Sequence, residues 1–525
     1  MKTIVTVLLL CLFLSPAFSQ GNIDVLHYKY EIELSDRSDT IKGKATIRFK
    51  ALKPVNKISF DLANVTDKKK KGMILVSVLE KNKKLAATHI NDSIKVELGA
   101  PLTAGQEKEI IITYIGIPDD GLIISQNRYR KRTFFADNWP NRAHHWIPCI
   151  DNLTNKSSFE FIVKAPGHYK VVSNGILVSE TDSSDGTRLT HWKEDIPLPV
   201  KVMVIGVADF AVNDVDKVKG IPVTSWVFMQ NRIDGFRDYS IAPAILSFMI
   251  DYIGPYPYKK LANVQSKTRF GGMENAGAIF YNEGSVNGQV NQYGLFAHEI
   301  AHQWFGDMAT EKSFAHLWLS EGFATYLSHL YIRSRFGVDS FYRAMRNDRQ
   351  EIIDFVRTSD HPVVDSVSPY MELLNANSYQ KGGWVLHMLH HELGDSVFRQ
   401  CIRKYYETYA GKNAETKDFE KIVKDVSGKN VSTFFRQWLF TPGIPQLNVE
   451  WTYSAEKKEL SVTVKQLQKI NYVFLLGIGI KTAPGNQLFK ELNISRKEET
   501  FTIPVAEAVS NISLDPNIDL LFDLK

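Results

Sequence analysis

Cysteine is scarce in this chain, which has 3 among its 525 residues. So few cysteines exclude a disulfide-rich scaffold, and we expect Cys149 and Cys401 to be separate buried thiols rather than a bridge. Charge of one sign is also scarce, because 63 Lys and Arg against 58 Asp and Glu give a net charge of only +5. The basic runs are no longer than Lys68–Lys71 and Arg128–Arg132. A nucleic-acid-binding protein concentrates more positive charge on one element, so we expect no nucleic-acid partner.

Long hydrophobic runs are missing as well. Beyond the N-terminus no segment offers 18 uninterrupted apolar residues, and the sequence predicts no stable membrane span. Residues 1–19 have instead the composition of a signal peptide: Lys2, an apolar stretch from Ile4 to Leu14, and the small-x-small triplet that ends at Ser19. The pattern predicts cleavage before Gln20 and export of the protein, either to a periplasm or out of the cell.

The remaining chain divides into three regions by the period of its apolar residues. Residues 20–210 alternate apolar and polar positions, as strands do. Residues 211–442 contain longer stretches of helical period, each followed by a glycine where a helix would end: Tyr293–Phe305, Leu319–Phe336 and Tyr379–Glu392. Residues 443–525 return to alternation. We therefore predict a multidomain α+β protein with an N-terminal antiparallel β domain, a mostly helical middle domain and a small C-terminal β-sandwich.

One segment of the middle region has the spacing of a metal site. In His298-Glu299-Ile300-Ala301-His302 the two histidines are four residues apart. On a helix both imidazoles then lie on one face and can reach one ion. Glu299 is offset from that face, close enough to act on a bound water without being a ligand.

A third ligand is offered by Glu321, which follows His302 after 18 residues in a second run of helical period. Gly306-Asp307 ends the first run, so a return loop can bring the two helices together. Two histidines and one glutamate leave a fourth position for water, which is the arrangement of a catalytic zinc rather than a structural one. The sequence thus predicts one Zn²⁺ per chain.

These motifs together resemble a known family. The zinc segment and its third ligand, with Gly271-Gly272-Met273-Glu274-Asn275 upstream and Tyr379-Gln380-Lys381-Gly382 downstream, are similar to the gluzincin peptidases of the aminopeptidase N type, peptidase family M1. In the β region, Pro148-Cys149-Ile150-Asp151 and Ser173-Asn174-Gly175 are similar to further elements of that family. The resemblance implies a thermolysin-like catalytic domain, with an N-terminal β domain before it and a small sandwich after it. It also implies that a further helical domain, which many members carry after the sandwich, is lacking here.

The resemblance implies roles for the matched residues. Glu299 would be the general base and then the general acid, and Tyr379 would stabilise the oxyanion. Residues 271–275 would bind substrate, with Glu274 holding the cationic N-terminus of a peptide and the side-chain-free Gly271 and Gly272 admitting it as an added strand. A second amine-binding residue is expected ahead of the Pro-Cys corner, where the corresponding position is Asp137.

The implied activity is zinc-dependent removal of N-terminal residues from peptides with a free N-terminus. Three alternatives stay open. The first is a zinc endopeptidase, and the second is an enzyme that is also an epoxide hydrolase, like the leukotriene hydrolase of the same superfamily. The third is a catalytically inactive peptide-binding protein, which retention of Glu299 and Tyr379 disfavours.

Overall fold

The fold is taken from a computed structural model that describes residues 21–66, 68–483 and 485–525. The predicted signal peptide, residues 1–19, lies outside the described residues and stays a prediction. In the part of the chain that is described, no helix is both long enough and apolar enough to cross a membrane. Cys149 and Cys401 are both buried and free, which confirms the expectation of separate thiols.

The N-terminal region, up to Ala208, is built of strands. They are β1 (Ile23–Glu33), β2 (Ile41–Ala51), β3 (Val55–Asp61), β4 (Gly72–Glu80), β5 (Lys83–Lys84), β6 (Ala87–Ile90), β7 (Ser93–Leu102), β8 (Glu107–Ile117), β9 (Leu122–Gln126), β10 (Arg132–Ala136), β11 (Lys156–Pro166), β12 (Lys170–Ser173), β13 (Ile176–Asp182), β14 (Thr187–Pro199) and β15 (Ile205–Ala208). Alternation along β1 and β2 buries one face of each strand, including Tyr28 and Tyr30, and leaves the charged positions on the other.

These strands form three sheets. The largest has eight strands in the order β13-β14-β11-β1-β2-β8-β4-β5, and the others are β12-β15-β10-β9 and β3-β7-β6. The prediction of an antiparallel domain holds for all but one neighbouring pair: β1 runs parallel to β11, with Tyr28 opposite Phe159. Parallel neighbours need a long connection, and here β2 to β10 supply it. Alternation in sequence does not reveal such a pairing.

The middle region opens with a second mixed sheet and continues as helices. Its strands are β16 (Phe210–Val218), β17 (Ile221–Phe228), β18 (Leu261–Ser266), β19 (Gly272–Met273), β20 (Ala278–Asn282), β21 (Thr310–Glu311) and β22 (Asn413–Ala414). Its helices are α1 (Arg232–Asp238), α2 (Ala242–Tyr252), α3 (Tyr293–His302), α4 (Trp318–Phe336), α5 (Val338–Val356), α6 (Gly382–Leu393), α7 (Asp395–Tyr409), α8 (Thr416–Ser427) and α9 (Ser432–Leu439). In the five-stranded sheet, ordered β16-β17-β18-β20-β19, β19 is an edge strand.

Short helical turns connect several of these elements. The 3₁₀ turns are Ala143–His145, Val200–Val202, Met229–Asn231, Tyr239–Ile241, Glu283–Ser285, Phe314–His316 and Tyr370–Leu373, and a π-helical turn spans Asn377–Lys381. The three predicted helices correspond to α3, α4 and α6, and the predicted C-terminal glycines Gly337 and Gly394 have φ of 87° and 76°. Tyr379 itself lies in the π turn that precedes α6 rather than in α6.

The C-terminal region is again made of strands. They are β23 (Gln446–Ser454), β24 (Glu459–Gln466), β25 (Phe474–Thr482), β26 (Gln487–Ile494), β27 (Glu498–Pro504), β28 (Val509–Leu514) and β29 (Asp523–Leu524). They form a four-stranded sheet, β27-β24-β23-β29, and a three-stranded sheet, β26-β25-β28. Alternate residues of β24 and β25 are buried, as a small sandwich requires. The fold class predicted from the sequence is confirmed.

Candidate active site

Helices α3 and α4 bring the three predicted zinc ligands together. The imidazole Nε2 atoms of His298 and His302 are 3.1 Å apart. Each of them lies 3.2 Å from Oε2 of Glu321. These residues form the one group of three or more potential ligand side chains found among the described residues.

This triangle fits a zinc ion. Ligand atoms about 2.0 Å from a tetrahedral zinc are separated from one another by roughly 3.3 Å. The observed separations of 3.1–3.2 Å agree with that spacing. The donor set, two imidazoles and one carboxylate, is typical of a catalytic zinc with a position left for water.

Further contacts orient one of the ligands. Nδ1 of His302 donates a hydrogen bond to the backbone carbonyl of Phe305 at 3.1 Å, and Oγ of Ser320 lies 3.0 Å from the same nitrogen. With its proton on Nδ1, the imidazole keeps the lone pair of Nε2 free for a metal ion held between the three ligand atoms. Gly306, at φ 118°, permits this approach, because a Cβ there would lie 2.3 Å from the Ser320 hydroxyl.

Buried carboxylates dominate the electrostatics of the site. Burial raises the pKa of Glu299 and of Glu274, an effect that His302 opposes and the neighbouring carboxylates reinforce. Burial acts in the same direction on Glu321, but His302 and His298 more than offset it and lower its pKa. Lys201 also lowers the pKa of Glu274. Burial thus makes the charged forms of Glu299 and Glu274 costly, and a bound cation would reduce that cost.

Glu299 lies against the glycine-rich strand β19. A Cβ built on Gly272 would be 2.3 Å from Oε1 of Glu299. Any side chain at position 272 would therefore displace the carboxylate. The absence of a side chain at this position serves the placement of Glu299, in addition to the predicted role of admitting a substrate.

Tyr379 packs against His298, one of the two predicted histidine ligands. Its ring stacks on that of His298 with a centroid separation of 5.8 Å and an interplanar angle of 12°. Burial raises the pKa of Tyr379 well above its usual value, and Glu321, Glu274 and Glu299 add to the effect. The phenol is therefore neutral and retains a proton to donate.

The zinc ligands, Glu299, Glu274 and Tyr379 line one cavity of about 340 Å³, a size typical of small-ligand sites. Gly271, Gly272 and Met273 line it as well. The rest of the wall is apolar, and sequence reasoning missed it: Trp139, Phe270, Leu295 and Leu374. Among these four residues, Phe270 could have been suspected from the sequence, because it directly precedes the predicted substrate-binding segment 271–275.

Two of the predicted substrate-binding residues do not line this cavity. Asp137 is fully buried and accepts a hydrogen bond of 2.7 Å from Arg142 and one of 3.3 Å from the backbone amide of Arg269. Asn275 is also fully buried, and within the described residues its side-chain atoms have no hydrogen-bond partner. The structure therefore brings Glu274, but neither Asp137 nor Asn275, to the cavity wall.

Comparison with known proteins agrees with this site. The sequence-family model of the peptidase M1 N-terminal domain matches residues 25–200. The sequence-family model of the peptidase family M1 domain matches residues 238–438, which include His298, His302 and Glu321. The chain belongs to peptidase family M1. The resemblance inferred from the motifs is thereby confirmed.

Curated relatives in the M1 group carry aminopeptidase names. Aminopeptidase M1-C of Oryza sativa subsp. japonica is 30% identical over 59% of this chain and 37% of its own length. Probable aminopeptidase 1 of Sulfurisphaera tokodaii is 26% identical over 80% of this chain and 54% of its own length. Glutamyl aminopeptidase of Sus scrofa is 28% identical, over 60% and 35% respectively. The chain spans about half or less of the length of these relatives.

Proposed function

We propose that this M1 family member is a zinc-dependent aminopeptidase, which removes the N-terminal residue of peptides with a free amine. The observation that carries the proposal is the shared cavity, in which the ligand triangle, Glu299, Glu274 and Tyr379 face one another. The aminopeptidase names of the relatives support the same activity.

Proton transfer is assigned to Glu299. Zinc held by His298, His302 and Glu321 would supply Lewis acidity, which lowers the pKa of water to about 7 and polarises the scissile carbonyl. Glu299 then accepts the proton of the attacking water and passes it to the leaving amine. Its burial in the cavity beside His298 supports this role, since a carboxylate with a raised pKa holds a proton more readily between the two steps.

Tyr379 is assigned to the oxyanion. As the carbonyl is attacked, negative charge develops on its oxygen, and a neutral hydroxyl donor stabilises that charge. The raised pKa of Tyr379 and its position against His298 support the assignment.

Glu274 is assigned to the substrate's α-ammonium group. It follows edge strand β19, whose free side can accept an extended peptide as an added strand. A carboxylate at this point fixes the scissile bond as the first one of the chain. Asp137 does not share this role in the proposal, because Arg142 already neutralises it.

Hydrolysis of a panel of aminoacyl amides, with and without a chelator, tests the proposal. We expect cleavage of free-amine substrates, loss of activity on chelation and recovery with added zinc. Activity that survives complete removal of metal would contradict the zinc assignment. Internal cleavage of N-acetylated peptides at comparable rates would favour the endopeptidase alternative.

We also propose that the protein is exported. The support is the signal-like composition of residues 1–19. N-terminal sequencing of protein expressed from the full reading frame tests it: a mature chain that begins at Gln20 is expected, and an uncleaved N-terminus in the cytoplasm would contradict it.

A further inference from the structure

Gln303 is a fully buried amide that directly follows the zinc ligand His302. Its Nε2 donates two hydrogen bonds, one of 2.6 Å to the backbone carbonyl of Glu274 and one of 3.1 Å to Oδ2 of Asp307. Its Oε1 accepts two, from the backbone amide of Gly277 at 2.7 Å and from the hydroxyl of Tyr256 at 3.2 Å. All of its hydrogen-bonding capacity is therefore used.

The pattern of partners fixes the orientation of the amide. Nε2 faces the backbone carbonyl of Glu274, whereas Oε1 faces the backbone amide of Gly277, so a flipped amide would lose both of these bonds. Asp307 is fully buried, and Gln303 is the side chain that donates to it. Tyr256 and Asp307 connect the amide to groups outside the segment 274–277, while Glu274 and Gly277 fix which way it points.

That loop is the segment 274–277, which carries the proposed amine-binding carboxylate. Gln303 bonds both of its ends, at Glu274 and at Gly277. Asn174 and Lys260 also bond the backbone of this segment, at Ala276 and at Gly277, but neither side chain lies near the zinc ligands in sequence. Gln303 is the contact that joins the loop directly to the end of the zinc helix α3.

We infer that Gln303 is a positioning residue that holds Glu274 at a fixed distance from the zinc ligands, and that it thereby sets the requirement for a free substrate amine. This inference rests on the proposed aminopeptidase function. Gln303 does not line the cavity, so it acts on the substrate only through the backbone of Glu274. A displacement of that carboxylate by about 1 Å can cost up to a hundredfold in rate.

Two variants of different severity test the inference. Gln303→Leu removes all four hydrogen bonds at nearly constant volume, and Gln303→Asn keeps an amide that is too short to reach both ends of the loop. Gln437→Leu is the matched control, because Gln437 is a buried amide that bonds both the amide and the carbonyl of Val473, in a different part of the molecule. Zinc content and the thermal midpoint of unfolding are measured for all three.

The deciding readout is selectivity between an aminoacyl amide and its N-terminal hydroxy analogue. For both Gln303 variants we expect kcat/KM on the amine substrate to fall at least about tenfold, with a much smaller fall on the hydroxy substrate and with zinc retained. Gln437→Leu should leave this ratio at the parent value. In a Glu274→Ala background, Gln303→Asn should cost little more, since its effect passes through Glu274.

A binding measurement gives a readout that does not require turnover. In a Glu299→Gln background, calorimetry should show that Gln303→Asn weakens binding of an intact dipeptide but not of its hydroxy analogue. If either variant folds, retains zinc and keeps the parent's selectivity, or if amine and hydroxy substrates lose rate equally, the inference is wrong. If the parent itself does not distinguish the two substrates, the proposed function fails instead.

Discussion

Glu274 and Asp137 are both buried carboxylates, but Glu274 lines the cavity whereas Asp137 lies in the protein interior. Asp137 is 0% exposed and is paired with Arg142 at 2.7 Å, so its charge is already neutralised. Glu274 is 5% exposed and lines the cavity beside other carboxylates, where burial raises its pKa. A buried carboxylate is costly without a cation. We therefore expect a substrate amine to pair with Glu274, which faces the cavity, rather than with Asp137, which Arg142 already pairs.

The largest expected effect comes from the other cavity carboxylate, Glu299. Glu299→Gln keeps the size of the side chain but cannot accept a proton, so kcat should fall by about three powers of ten. Metal analysis should still find about one zinc per chain, because Glu299 is not one of the three ligands. A variant with zinc and near-parent turnover would contradict the role assigned to Glu299.

Tyr379→Phe tests the proposed role of the neutral Tyr379 hydroxyl as a hydrogen-bond donor to the oxyanion. Loss of one hydroxyl should lower kcat by about a hundredfold while KM changes little, which is the signature of an interaction made only in the transition state. Steady-state kinetics of the parent and the variant on one aminoacyl amide measure kcat and KM separately. An unchanged kcat with a raised KM would assign Tyr379 to substrate binding.

Glu274→Ala addresses the comparison directly. Loss of a charge-assisted hydrogen bond to the substrate ammonium should lower kcat/KM for free-amine substrates by about tenfold to a hundredfold. The hydroxy analogue should be affected far less, so the gap between the two substrates narrows. Equal losses on both would mean that Glu274 does not recognise the amine.

Asp137→Asn should have the smallest effect on catalysis. The variant leaves Arg142 without one of its two carboxylate partners, so we expect a destabilisation of about 1 to 3 kcal/mol, seen as a lower thermal midpoint. Selectivity for the free amine should stay at the parent value. A loss of that selectivity at full stability would return Asp137 to the amine site.

Local spacing accounts for what the sequence could predict of the site. His298 and His302 are one helical turn apart at the end of α3, and Glu321 lies in the first turn of α4, the next helix along the chain. The three predicted zinc ligands therefore follow from short-range geometry. Glu274 and Tyr379 were predicted only by resemblance, since nothing near them in sequence indicates a shared cavity. The family assignment confirms the resemblance; the residue roles stay predictions.

Other features depend on contacts that sequence does not display. Asp137 meets Arg142 across a turn in which the backbone amide of Arg142 donates to the carbonyl of Asn138, and no alternation of apolar residues indicates this turn. The parallel pairing of β1 with β11 joins segments more than a hundred residues apart. Gln303 had a place next to His302 but no distinguishing pattern; its role depends on partners at 256, 274, 277 and 307.

We propose that a single zinc-containing cavity both recognises the free amine and cleaves the peptide bond next to it. The most direct measurement compares the zinc-loaded protein on three versions of one peptide, with a free, an acetylated and a hydroxy N-terminus. We expect release of the first residue from the free peptide and rates at least about a hundredfold lower on the other two. Cleavage of the blocked peptides at comparable rates, at internal bonds, would contradict it.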